Sequence, residues 1–247
     1  MTRKRHKSKN PQQHIVDDLK GKVPAETKHT QLAGGKRRDT HVKLELRPFP
    51  ICWGLPFDEV MFSQFMANFV ALDYMPWDYL ATTQSTYLPE ARNEIHNMFL
   101  NELGGTHLFM LDSDVLPPPG IIGSLLAHEK DMVGGFYRKK EKFATKNLSG
   151  ETVYIQRPVV YDYSHSTDEK DLYKQRLAEG NGMERVDAAG AGCWLMSRKV
   201  AEALGESPYD LQRGGEDMVL SKKVNDLGFE LWIDWNLPCA HLGTFFV

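Results

Sequence analysis

Thr106-His107-Leu108-Phe109-Met110-Leu111-Asp112-Ser113-Asp114 is the stretch from which the fold can be read. An apolar run ends abruptly in two carboxylates one residue apart. Unbroken apolar character over residues 108–111 predicts a strand buried on both faces, as in a sheet covered by helices. Ligands of open α/β sheets sit outside the carboxyl ends of the strands, so Asp112 and Asp114 are expected where a ligand would lie. Pro117-Pro118-Pro119-Gly120 then turns the chain towards a helix. Two hard carboxylates at a strand end suit Mg²⁺ or Mn²⁺ carrying a phosphate. A solvated turn with two helix-capping acids is the competing reading, because so short a pattern also arises by chance.

Strands and helices alternate outward from this point, which argues for an α/β sandwich with a mixed, mostly parallel central sheet flanked by helices. Upstream, residues 49–53 predict a first strand and 57–72 a helix. In that helix Phe62, Phe65, Met66, Phe69 and Val70 recur at helical spacing. A second strand is expected over 79–83. A second helix is expected over 89–103, with Pro89 near its start, Gly104-Gly105 after its end, and Ala91, Ile95, Met98 and Phe99 as its buried stripe. Downstream, 121–127 reads as a helix and 132–137 as a strand running into Arg138-Lys139-Lys140. Residues 141–185 are polar, and 152–156 with 159–163 predict a small hairpin or insertion. A strand over 193–196, helices over 198–204 and 216–227, and a strand over 229–233 complete the pattern.

At 41% hydrophobic and 26% charged residues, the 247-residue chain is long enough for one sizeable core. Its net charge of −3 hides an asymmetry: residues 1–47 carry +8 and the rest −11. The basic clusters Arg3–Lys9 and Lys36-Arg37-Arg38 lie among polar residues, so 1–46 reads as a flexible arm and 47–247 as the folded domain. A solvated tail accounts for such an arm; attachment to a polyanion by counterion release is the sharper alternative. Cys52, Cys193 and Cys239 form no C-x-x-C pair, which argues against a disulfide framework or a zinc site and for a reducing cytoplasm. That would be a host's cytoplasm if the chain is phage-encoded. No run of 18 apolar residues occurs, and no apolar stretch follows the basic N-terminus, so neither a membrane span nor a secretory signal is expected.

Further residues carry chemistry. Glu216-Asp217 follows two glycines and opens a helix, where the dipole alone favours acids. A carboxylate there could also take the proton of an acceptor hydroxyl, with Asp217 the first choice and Glu216 the second. His241 would suit Mn²⁺ as a neutral imidazole, although a lone histidine is more often structural. Arg92-Asn93 lies on the helix before the Asp-x-Asp strand. It is either an exposed face or a nucleotide contact, Arg92 matching phosphate and Asn93 ribose or base. Trp194, Trp232 and Trp235 are expected mostly in core or rim, with one of them able to stack on a sugar or base; Trp194 is grouped with Arg92, Asn93, Asp112 and Ser113 as a nucleotide-sugar contact.

Together Ala91-Arg92-Asn93, Asp112-Ser113-Asp114, Val133-Gly134-Gly135-Phe136-Tyr137, Gly190-Ala191-Gly192, Glu216-Asp217 and His241 resemble the metal-dependent GT-A glycosyltransferases. The arrangement looks especially like the small family-2-like enzymes of bacteria and phages, over roughly residues 48–247. The resemblance implies a Rossmann-like nucleotide half joined to an acceptor half, a nucleotide-sugar donor (most often a UDP-sugar), and Mn²⁺ or Mg²⁺. It implies Asp112, Asp114 and His241 as metal ligands and Glu216 and Asp217 near the acceptor. The chain given stops six residues after His241, short of the C-terminal lid of many relatives.

The acceptor is open between DNA bearing a hydroxymethylated base, favoured by the basic arm, and a glycan or protein. A nucleotidyltransferase is a second class. A non-catalytic nucleic-acid-binding protein is a third, disfavoured because the acidic domain leaves polyanion binding to the arm. Neither a G-x-x-x-x-G-K-[ST] nor a G-x-G-x-x-G signature is present, which weighs against other nucleotide chemistries.

Overall fold

The computed structural model describes residues 47–57, 61–147, 149–164, 173–211 and 215–243, together with the backbone of 27–29 and 40–42. Contacts divide the chain into two units, residues 1–48 with 75–77 and residues 49–74 with 78–247. Within the first, β1 (Thr27–His29) pairs antiparallel with β2 (Thr40–Val42). The remainder of the expected arm lies outside the described residues.

The second unit is built on a seven-stranded sheet. Its strands are β3 (Cys52–Phe57), β4 (Tyr79–Gln84), β5 (His107–Leu111), β7 (Met132–Phe136), β12 (Met183–Val186), β14 (Cys193–Ser197) and β15 (Leu231–Pro238), in the order β12-β15-β7-β14-β5-β3-β4. The parallel pairings β3–β4, β3–β5 and β7–β15 and the antiparallel placement of β14 and β12 leave five strands running one way. This is the mixed, mostly parallel sheet expected. Separate small sheets accompany it: β6 (Val115–Leu116) pairs with β16 (Ala240–His241), β8 (Phe143–Lys146) with β9 (Thr152–Ile155), and β10 (Val160–Tyr163) with both β11 (Tyr173–Gln175) and β13 (Ala188–Ala189).

Side chains of β5 alternate between two cores, which explains its unbroken apolar run. Leu108 and Met110 pack with Ile95, Phe99, Trp194, Met196, Val200 and Leu220, on the side of helices α2 (Leu88–Asn101), α4 (Arg198–Leu204) and α5 (Glu216–Asp226). Phe109 and Leu111 pack with Trp53, Phe65, Ile121, Ile122 and Leu125, on the side of α1 (Ser63–Phe69) and α3 (Ile121–Leu126). Burying a side chain of this size is worth about 1.5–3 kcal/mol. Both faces of a strand must therefore be apolar for the three layers to close.

Two expectations need correction. Helix α1 is shorter than residues 57–72, and of its periodic residues Phe65 is fully buried while Phe62, Met66 and Val70 are exposed. Residues 152–156 and 159–163 do not form a hairpin with each other. Thr152–Ile155 pairs back onto Phe143–Lys146, and Val160–Tyr163 joins the three-stranded sheet. Among the described residues no helix is long and apolar enough to cross a membrane.

Candidate active site

The carboxyl ends of β3, β4, β5, β7 and β15 share one edge of the sheet, and the N-terminal end of β14 reaches the same edge because Cys193 faces Leu111. Helix α2 follows β4 and so starts there, which brings Arg92 in its first turns beside the end of β5. Helix α5 opens after Gly215, whose φ of 96° is a conformation glycine tolerates best. Its first two residues are Glu216 and Asp217.

Arg92 is the centre of the cluster, with only 1% of its side chain exposed. Nη2 donates to Asp112 Oδ1 at 2.7 Å and Oδ2 at 2.8 Å. Nη1 donates to Glu216 Oε1 at 2.6 Å and Asp217 Oδ1 at 2.9 Å. One guanidinium therefore serves three carboxylates and leaves a net negative site. Burial pushes the Asp217 carboxyl up; Arg92 pulls it down, and the charges of Glu216 and Asp112 raise it again, leaving it at about 6. A fifth of its side chain still reaches solvent (22%), so a buried, frustrated carboxylate is open to a ligand.

Close packing at Gly192 completes this half. Its N–H donates to the Tyr137 hydroxyl at 3.1 Å and its carbonyl accepts from the Asp112 N–H at 3.0 Å. A Cβ on Gly192 would lie 2.7 Å from Asp112 Oδ2, so a larger residue would push the carboxylate off Arg92.

The second half lies around Asp114. After Asp234 the β15 register shifts, and the chain swings over so that Cys239 N–H bonds Phe136 O at 2.7 Å and Leu242 N–H bonds Asp114 O at 2.7 Å. His241 is thereby paired opposite Val115. Its Nδ1 lies 2.8 Å from the Arg138 carbonyl, which can only accept, so Nδ1 carries a proton. Nε2 then faces Asp114 Oδ2 at 3.5 Å. Lys140 Nζ donates to the same Oδ2 at 2.6 Å. Burial opposes ionisation of both groups, but His241 and Lys140 together hold the Asp114 carboxyl below its usual range, and Asp114 with the Arg138 carbonyl holds His241 above its own.

Whether these residues fit a divalent cation can be judged from the donors. A neutral His241 points a lone pair at a carboxylate oxygen, an arrangement that needs a proton or a cation between them. Its other ring nitrogen is tied to a carbonyl, as is usual for metal-bound histidine. The 3.5 Å gap lets both atoms reach one ion at about 2.1 Å each. Asp112, the third expected ligand, has both oxygens on Arg92. Among the described residues no three His, Cys, Asp or Glu side chains converge as a metal site. Asp114 and His241 would supply two protein donors to such an ion.

The structure thus brings together Arg92, Asp112, Glu216 and Asp217 in one group and Asp114 and His241 in another, with half-buried Ser113 between the two aspartates. It places Asn93 and Trp194 differently. The Asn93 amide both donates to Tyr209 O at 2.7 Å and accepts from Tyr209 N–H at 2.9 Å, holding the segment before α5. Trp194 is 2% exposed within the core. The sequence marks Tyr137 only within a motif of the resemblance and Lys140 only within a basic run, gives neither a role in the site, and does not single out Tyr209. Tyr137 and Lys140 follow a strand ending at this edge of the sheet, which is a signal in the sequence; Tyr209 acts through its backbone on Asn93 and through its ring, 5.7 Å from the Arg92 guanidinium, and gives none.

No family model matches the chain, and no curated protein matches its sequence. Among solved structures it is similar to A197 from STIV, with a TM-score of 0.50 and 16% identity over 79% of this chain and 86% of that one. It is also similar to GalNAc-T7 with UDP, GalNAc and Mn²⁺, with a TM-score of 0.51 and 13% identity over 79% of this chain and 44% of that one. The chain therefore spans less than half of GalNAc-T7. Identities this low speak for the fold alone. The chain is a Rossmann-like GT-A sandwich, with its buried arginine and carboxylates at the ligand edge of the sheet.

Proposed function

We propose that this chain is a glycosyltransferase that moves a sugar from a nucleotide-diphosphate sugar, a UDP-sugar first among them, to an acceptor hydroxyl with the help of Mn²⁺ or Mg²⁺. The observation that carries the reading is Asp217, a carboxylate left unstable by burial with a pKa near 6, in one cluster with the strand-end Asp112. Such a group is charged at neutral pH and gains from taking a proton, as a general base must. The GT-A neighbour solved with UDP and Mn²⁺ supports the donor class and the metal.

In this reading Asp114 and His241 hold the cation, which when bound would stabilise charge on the departing diphosphate. Arg92 acts as a brace. It fixes Asp112 towards the donor ribose or a metal-bound water, and it fixes Asp217 on the acceptor side. Asp217 receives the acceptor proton as the hydroxyl attacks, and direct displacement with that base would invert the anomeric carbon. Glu216 raises the basicity of Asp217 by charge repulsion. Ser113 lies at the donor end of β5, and Asn93 and Trp194 support the site through the Tyr209 segment and the core. The acceptor is DNA bearing a hydroxymethylated base, if the basic arm engages it, or otherwise a glycan or protein, and the work is done in the cytoplasm.

Product analysis tests this. Wild-type protein incubated with UDP-sugars, Mn²⁺ and acceptor candidates should release UDP and lose that activity in Asp217→Asn. Release of pyrophosphate instead would assign the chain to the nucleotidyltransferases. Nucleic-acid binding without any nucleotide affinity would assign it to the non-catalytic class.

A further inference from the structure

Lys140 has no part in the family pattern, yet it is built into the site. Gln156 Nε2 donates to the carbonyls of Lys139 at 3.0 Å and Lys140 at 3.2 Å, which fixes the backbone. The Lys140 stem lies over Gly243, where an added Cβ would come 3.3 Å from Cδ. Its ammonium sits on Asp114 Oδ2, the oxygen that His241 Nε2 also faces, and 41% of the side chain remains exposed. A single positive charge therefore occupies the carboxylate a divalent cation would need.

Resting on the donor reading above, we propose that Lys140 is a diphosphate-binding residue parked on Asp114. In the absence of a divalent ion the ammonium neutralises Asp114. When an ion takes Asp114, like-charge repulsion drives the ammonium off that oxygen. The flexible stem, still lying over Gly243, then offers three donors to a phosphate oxygen on the solvent side of the same edge. The two uses of Lys140 exclude each other, so the lysine competes with the ion alone but cooperates with the nucleotide. The site would thus bind free metal weakly and the metal–diphosphate pair well.

The test is a pair of calorimetric titrations on the full chain, comparing wild type, Lys140→Met and Lys140→Arg. With Mn²⁺ alone, Lys140→Met should bind about two- to fivefold more tightly than wild type, the range expected for losing a partly exposed ion pair. With UDP in Mn²⁺, Lys140→Met should bind about tenfold more weakly, as for loss of a hydrogen bond between charged groups, and Lys140→Arg should recover most of the affinity; in EDTA, where the ammonium stays on Asp114, wild type and Lys140→Met should bind UDP alike. Unchanged Mn²⁺ affinity in Lys140→Met would overturn the exchange on Asp114. Equal UDP affinity of wild type and Lys140→Met in Mn²⁺ would overturn the phosphate contact while leaving the donor site standing. A wild type that binds none of UDP, GDP or ADP would overturn the donor reading itself.

Discussion

Replacing Asp217 with asparagine should make the protein more stable at neutral pH while removing its activity. The carboxyl, ordinarily near 3.8, is held at about 6 by burial and by the charges of Glu216 and Asp112, against the pull of Arg92. Between these two values the unfolded chain has released its proton while the folded chain keeps it. Folding stability therefore falls as pH rises through that window and stays lower above pH 6. The cost of the ionised carboxylate reaches about 3 kcal/mol there. Asparagine keeps the shape and the acceptor oxygen for Arg92 without the charge. The advantage of Asp217→Asn over wild type should be near zero below pH 3.8, grow through the window, and level off at up to about 3 kcal/mol by pH 7. Urea unfolding of both proteins from pH 4 to 8 reads this difference, and other titrating groups cancel in the comparison. A variant no more stable than wild type at pH 8, or one whose advantage does not change with pH, would refute the picture of a frustrated buried base. An active variant would refute the role of the base.

Other perturbations probe the surrounding framework. Arg92→Met removes the cation shared by three carboxylates and should destabilise the fold by about 3 kcal/mol or more at pH 8, the usual result of breaking a buried pair from one side; urea unfolding at pH 5, below the value of about 6 for Asp217, should show a smaller loss because that carboxyl is then protonated. His96 is fully buried on α2, makes no well-formed hydrogen bond, and is pushed by burial down to about 4 from an ordinary value near 6.5, although the backbone of Ala201 and Gly205 works against the shift. Its neutral form is favoured in the folded state, so stability should be unaffected above pH 6.5 and fall as pH drops towards 4, by about 3 kcal/mol in all. His96→Leu should flatten that acid limb in thermal unfolding while leaving the Asp217 effect in place.

Much of the framework was legible in the sequence because its signals are local. The apolar run of β5, the proline and glycines bounding α2 and the acids opening α5 each follow from short-range rules. What the sequence hid depends on distant residues meeting. Arg92 reads equally well as an exposed helix face or a phosphate ligand; only the fold, bringing residues 112, 216 and 217 to one guanidinium, makes it a buried brace. Asn93 reads either as an exposed face or as a ribose or base contact, yet it clamps the backbone at Tyr209, a contact across 116 residues. The stripe of Phe62, Phe65, Met66, Phe69 and Val70 matches a helix without revealing that Phe62, Met66 and Val70 stay exposed. The pairing of β8, β9, β10, β11 and β13 in small sheets is not legible because strands of two to four residues carry little periodicity.

A thermal-shift screen tests the central claim most directly: nucleoside diphosphates and their sugars, each with and without Mn²⁺, on wild type and Asp114→Ala. Ligand binding to the folded state alone raises its stability by linkage, by about 2.7 kcal/mol at a hundredfold excess over Kd. A donor site formed by Asp114 and His241 predicts that one nucleotide stabilises wild type, more strongly with Mn²⁺, and that the Mn²⁺-dependent part disappears in Asp114→Ala. No stabilisation by any nucleotide, or an identical Mn²⁺-dependent shift in the mutant, would contradict it.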